Sequence, residues 1–186
     1  MRHVMLDLET MGTKPNAPVI TIAAVMFNPK TRETGEKFVT GVSLKDSVTS
    51  GAVIEADTVQ WWMAQSEEAR QVMLYSQKYA SDQAAAITMF EFWLNLQQPD
   101  YTQLRIWGNG AGFDNVLLEQ MYARCTRTPA WKFYQNRCYR TLRNMASKAA
   151  AGVPFEGARH NPVHDATYQI HVLFEVMNQL NLHDLD

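Results

Sequence analysis

The sequence predicts an α/β fold: a mixed central sheet, made of an antiparallel meander plus helix-connected strands, flanked by helices. Three observations carry this. Three strand-like segments follow one another within the first 43 residues. A helical region comes next, and a short apolar segment at 104–107 then returns to the sheet before further helices. No repeat, low-complexity tract or linker interrupts the 186 residues, so residues 1–186 read as a single domain.

The elements follow from local patterns. Residues 4–10 (VMLDLET) form a near-continuous apolar run, as a strand covered on both faces does. Asp7 and Glu9 are set into it, and alternate residues of a strand share a side. Like charges that close are costly to desolvate without a compensating cation. They therefore mark either a metal site or a fraying, solvated strand end. Gly12, Pro15 and Asn16 make a turn. Residues 19–27 are β-branched and apolar, and residues 36–43 return as the third strand. Asp57 or Thr58 caps a short helix bearing Trp61 and Trp62, and Ser66 opens the next one. Ser81 and Asp82 start a longer helix that Pro99 ends. The strand at 104–107 breaks at Gly108-Asn109-Gly110, and residues 113–125 are amphipathic. A helix is expected over 139–151, stopped by Gly152 and Pro154. Asn161-Pro162 starts a last one that runs to about residue 180.

An apolar content of 46% and a charged content of 19% are ordinary for a soluble protein. No stretch approaches the roughly 18 apolar residues of a membrane span, and no signal-peptide pattern is present. Cys125 and Cys138 lack both metal-site spacing and scaffold density, so a reduced, cytoplasmic protein is expected. The net charge of −2 argues against a nucleic-acid partner, but its distribution argues for one. Between Glu119 and Glu156 there is no acidic residue, while Arg124, Arg127, Lys132, Arg137, Arg140, Arg143 and Lys148 all fall there. Tyr122, Trp131, Phe133, Tyr134 and Tyr139 are interleaved with them. Cations neutralise phosphates and rings stack on unpaired bases, so the block points to a polyanion.

Three further residues join Asp7 and Glu9. Asp114 lies near the start of a helix after a strand and a Gly-rich turn, where α/β sheets collect ligands; a capping role is the plain alternative. His160 and Asp165 flank the start of the final helix. Asp7-Leu8-Glu9, the segment 109–114 (NGAGFD) and the segment 160–165 (HNPVHD) resemble, in order, the three motifs of the DEDDh superfamily of 3′→5′ exonucleases. The segments 58–62 (TVQWW), 65–70 (QSEEAR) and 132–137 (KFYQNR) resemble a compact branch holding a bacteriophage exonuclease and a mycobacterial exoribonuclease.

The resemblance implies an RNase H-like fold and removal of nucleoside monophosphates from the 3′ end of single-stranded DNA or RNA, with DNA slightly favoured. It implies that Asp7, Glu9, Asp114 and Asp165 hold two divalent cations. Four oxygen donors and no cysteine suit Mg²⁺ or Mn²⁺, and two such ions would turn the net charge positive. By the same resemblance His160 takes a proton from the attacking water, as an imidazole titrating near neutral pH can. His164 competes for that role, although successive helix residues point about 100° apart. Thr10, Met11 and Gly12 would receive the terminal nucleotide and Trp61 would stack on a base. Asn109 and Phe113 would border the site, and Arg137 and Arg140 would contact phosphates. His171 is expected to be partly buried and His3 to be an unremarkable terminal residue. Two chains pairing as a homodimer would share the basic surface. A non-catalytic binding scaffold is the competing class, but such a protein would be expected to lack a carboxylate, and none is missing here.

Overall fold

The computed structural model describes residues 1–185. β1 (His3–Thr10), β2 (Val19–Asn28) and β3 (Glu33–Gly41) pair antiparallel in succession. β4 (Arg105–Gly108) joins the other side of β1 in parallel, and β5 (Asn136–Cys138) pairs in parallel with β4. The order β3-β2-β1-β4-β5 puts β1 in the middle, which is why it is apolar on both faces. The helices are α1 (Leu44–Thr49), α2 (Ala56–Met63), α3 (Glu67–Lys78), α4 (Gln83–Gln97), α5 (Val116–Arg124), α6 (Tyr139–Met145) and α7 (Pro162–Gln179).

Alternation along β1 divides the core. Val4, Leu6 and Leu8 face a cluster with Phe90 and Leu94 of α4 and Leu117, Leu118 and Met121 of α5. Met5 faces the other way, into a cluster with Trp107 and with Ile170, Leu173 and Met177 of α7. Each such apolar side chain stabilises the fold by roughly 1.5–3 kcal/mol when fully buried. Asp7 and Glu9 continue the Met5 side, so both project toward α7.

The starts of α3, α4 and α7 lie where the sequence puts them. Ser66 Oγ accepts from Ala69 N–H at 3.3 Å, Asp82 Oδ1 from Ala85 N–H at 2.7 Å and Asn161 Oδ1 from Val163 N–H at 3.1 Å. Other expectations are corrected. α2 is capped by the backbone of Glu55, ahead of Asp57 and Thr58, because the Glu55 side chain is turned to the loop before it. The helix expected over 139–151 stops at Met145 and resumes only as one turn, Ala149–Gly152, in a stretch that puts Ala146 and Ala149 into the core. β3 starts earlier than expected, while α1 and β5 are too short to leave a periodic signal. His171 is exposed on α7. His3, by contrast, is buried between Phe27 and Trp107. Among the described residues no helix is long and apolar enough to cross a membrane.

His3 gives the fold an acid sensitivity. Its Nδ1 accepts from Trp107 Nε1 at 3.1 Å, and burial holds its pKa down at about 3. A base with a lowered folded-state pKa contributes stability above its unfolded value near 6.5 and loses it progressively as pH falls toward 3. His3→Gln keeps an acceptor for Trp107 and cannot take up that proton. The stability gap between wild type and His3→Gln, measured by urea unfolding, should therefore move in the variant's favour between pH 6.5 and pH 4.

Candidate active site

The ends of β1 and β4 and the start of α7 surround a cavity of about 680 Å³. Asp7, Glu9, Thr10, Trp61, Asn109, Phe113, His160 and Asp165 line it. One oxygen each from Glu9 and Asp165 and a ring nitrogen of His160 lie within 4.8 Å of one another. Asp114, only 2% exposed, stands directly behind, and its Oδ1 accepts from Leu8 N–H at 3.4 Å. The four carboxylates therefore converge from β1, from the turn after β4 and from α7.

Local structure explains each position. Asp114 sits in a wide π-type turn, Ala111–Asn115, an irregularity that often re-aims side chains at functional sites. Gly108 lets that turn fold back on β4: a Cβ there would lie 2.6 Å from Asn115 Oδ1 and 2.9 Å from Asp114 Cβ. Asp165 falls in the first turn of α7, where its carboxylate accepts the His160 backbone N–H. His160 has a left-handed backbone, φ 60°, which few non-glycine residues adopt. Its ring packs against Trp61 in a T-shaped contact, with centroids 5.1 Å apart. His164 points elsewhere. Its Nδ1 accepts from Ala158 N–H at 3.0 Å, and its ring lies so close to Gly157, at φ 95°, that no Cβ fits there.

Burial raises the proton affinity of all four carboxylates, and the charges of their neighbours add to it at Asp7 and Glu9. Burial, then the charges of Glu9, Asp114 and Asp165, hold Asp7 well above the usual carboxylate range. Burial, then Asp165 and Asp114, pushes Glu9 up to about 8. Burial takes Asp114 to about 7 against the opposing pull of its backbone donors, and it also raises Asp165. Asp114 Oδ2 is buried with no hydrogen-bond partner among the described residues. Oxygen donors crowded together, one of them orphaned, fit a hard divalent cation.

Substrate residues expected from sequence divide. Thr10 and Phe113 lie on the cavity wall, as does Trp61, which is 45% exposed, while Trp62 is buried and donates from Nε1 to Thr10 O at 3.0 Å. Asn109 is there too, and its carbonyl accepts from Arg140 Nε at 2.8 Å, which puts Arg140 at the rim. Met11 and Gly12 are not on the wall. Met11 is buried with Ile20 and Trp62 and its N–H donates to Pro18 O, while Gly12 packs against Ala17 and Glu55. Arg137 is not brought to the cavity either, since its guanidinium bonds the carbonyls of Tyr134 and Asn136. In the basic block, Tyr122, Trp131 and Tyr139 are core residues, and Arg127 pairs with Glu91.

Two features escaped the sequence reading. Gln169, one turn beyond Asp165 on α7, donates from Nε2 to Asp7 Oδ1 at 2.6 Å, and the i, i+4 spacing was the available signal. Glu55 accepts from Thr13 N–H, Thr13 Oγ and Lys14 N–H, and so pins the loop after β1. It lines the cavity together with Asp57 and Thr58. Nothing in the local sequence marked it.

The fold is of the RNase H-like type, and its site gathers four carboxylates and a histidine where β1, the turn after β4 and α7 converge. The chain belongs to the family of 3'-5' exoribonuclease Rv2179c-like domains, which it matches over residues 2–177. It is 31% identical over 124 residues to an exodeoxyribonuclease of Enterobacteria phage T4, an alignment covering 63% of this chain and 54% of that protein. The chain thus spans about half the length of that curated relative. In fold it is similar to the nuclease domain of 3'hExo, a DEDDh family member bound to rAMP, with a TM-score of 0.67, 13% identity and coverage of 98% of this chain and 94% of that one. It is also similar to E. coli Exonuclease I in complex with a dA16 oligonucleotide, with a TM-score of 0.67, 17% identity and coverage of 97% and 42%.

Charge crowding makes a prediction that needs no enzyme assay. Asp7→Asn removes one buried charge yet keeps an oxygen for Gln169. It should raise the melting temperature in EDTA, by about 2–4 °C per kcal/mol relieved. The same variant should lose most of the further rise that Mg²⁺ or Mn²⁺ gives wild type. Gln169→Ala should weaken Mn²⁺ binding in calorimetry by about 10–100-fold, as loss of a ligand's supporting hydrogen bond does, with the fold retained.

Proposed function

We propose that this protein is a metal-dependent 3′→5′ exonuclease that releases nucleoside monophosphates from single-stranded nucleic acid. The observation that carries the reading is the meeting of Asp7, Glu9 and Asp165 on the wall of one cavity, with His160 beside them and Asp114 buried behind Leu8. The four carboxylates would hold two divalent cations, Mg²⁺ or Mn²⁺. When bound, such ions neutralise the carboxylates and polarise the phosphate of the terminal linkage.

The remaining work falls to the chain. His160 would accept the proton of the attacking water as the oxygen adds to phosphorus. The bond from phosphorus to the 3′ oxygen of the penultimate nucleotide breaks, that oxygen takes a proton from solvent, and a shortened strand with a 3′-hydroxyl and a 5′-monophosphate are left. Trp61 packs against the His160 ring on one side while Glu9 and Asp165 lie near its nitrogen, an arrangement that would hold the ring in place for this step. Thr10, Phe113 and Asn109 would border the terminal nucleotide, and Arg140 would meet phosphate at the rim. His164 would take no part, because Ala158 and Gly157 already engage its ring.

Choice of sugar rests on whether the site admits a 2′-hydroxyl. The phage relative's name favours DNA and the family's name favours RNA. We favour DNA slightly, with exoribonuclease action on RNA ends as the second reading.

Matched 5′-labelled DNA and RNA oligonucleotides incubated with Mg²⁺ or Mn²⁺ test both. A ladder of shortened 5′-labelled products is expected, and intact substrate in both metals would sink the proposal. Asp7→Ala should abolish cleavage. His160→Ala should slow it by roughly 10²–10⁴-fold, and His164→Ala should leave most activity in place. The reverse order for the two histidines would transfer the proton-accepting role to His164.

A further inference from the structure

Phe133 and Tyr134 have no part in the core or the cavity, yet they are 82% and 65% exposed. They pack against each other in a T-shaped contact, with centroids 5.5 Å apart. Their turn, Phe133–Gln135, is firmly anchored: Gln135 Nε2 donates to the carbonyls of Tyr101, Thr102 and Leu104, and Gln135 Oε1 accepts from Lys132 N–H. A rigid turn that presents two adjoining rings to solvent suits the recognition of flat ligands.

Charge gives the direction. The cavity wall carries Glu55 and Asp57 of the α2 side, which repel phosphate. Arg140 stands on the β4–β5 side, bonded to Asn109 just past the end of β4. β5 is the edge of the sheet on that side, and Arg137 lies on it between Arg140 and the rings. To reach Phe133 and Tyr134, a strand leaving the cavity on the basic side would run the length of β5, from its Cys138 end beside Gly108 to its Asn136 end.

Resting on the nuclease reading of the cavity, we propose that Phe133 and Tyr134 form a base-stacking platform for single-stranded nucleic acid 5′ of the end being cut. Tyr134 and Arg140 are six positions apart along the chain, a reach of at most about 20 Å. At about 3.4 Å per nucleotide of stacked strand, that spans about six nucleotides. The platform makes long strands better substrates than short ones and is indifferent to sequence, since every base has a face to stack.

The double variant Phe133→Ala/Tyr134→Ala in the full chain tests this, with a thermal melt to verify folding. Cleavage is followed on a trinucleotide and on an oligonucleotide of about twenty nucleotides. Affinity for the longer strand is measured by fluorescence anisotropy in EDTA. The variant should lose about tenfold or more in kcat/KM and in affinity on the long strand and keep its rate on the trinucleotide. Phe133→Trp/Tyr134→Trp should restore both losses. Equal behaviour of wild type and variant on both lengths overturns the platform. So does a shift from dimer to monomer in light scattering with unchanged affinity, which assigns this face to a second copy of the chain. If wild type cleaves neither length, the nuclease reading fails, and anisotropy alone judges the platform.

Discussion

The burial of four carboxylates, Asp7, Glu9, Asp114 and Asp165, in one place is the constraint around which this fold is arranged. β1 brings the first two into the centre of the sheet, where water cannot screen them fully, and α7 and the turn after β4 add the others. The cations that approach, Arg140 beside Asp114 and Arg159 beside Asp165, are exposed and do not offset burial. The surrounding core offsets that cost, since both faces of β1 are covered by apolar clusters. The stability left unclaimed by the bare protein is available to whatever cation completes the site.

Around the charges, neutral groups hold orientation. Gln169 grips Asp7 from α7, Leu8 N–H grips Asp114, and the His160 backbone grips Asp165. α2 contributes twice, with Trp62 bonded to the carbonyl of Thr10 and Trp61 packed on His160. Neighbouring tryptophans on one helix thus divide between the interior and the cavity, as their angular separation requires. Glu55, at the start of the same helix, ties down the loop that follows Glu9.

The central architecture was legible because it depends on long periodic segments. β1 and β2 declared themselves through near-continuous apolar runs, and α4 and α7 through a cap followed by an apolar face. Asp7 and Glu9 were legible because carboxylates in such a run are out of place. What stayed hidden was set by tertiary contacts. β5 is three half-buried residues paired on one side only, and nothing in the sequence around Arg137 shows that its guanidinium bonds the carbonyls of Tyr134 and Asn136 away from the cavity. His3 looked terminal because the contacts that enclose it, Phe27 and Trp107, come from two other strands. Met11 and Gly12 occupied the right place in the sequence, but the loop folds inward at Pro18 and takes them off the wall.

The alternation of β1 has one further consequence, for folding. Shifting a strand by one residue exchanges its two faces. In β1 that exchange would drive Asp7 and Glu9 among Phe90, Leu117 and Met121, where no cation or donor waits, and would leave Leu6 and Leu8 at the mouth of the cavity. An all-apolar central strand would tolerate the slip far better, since either face could be buried. The two carboxylates therefore act as a reading frame for the sheet. The residues that threaten the stability of the finished protein also ensure that β2 and β4 find β1 in a single alignment.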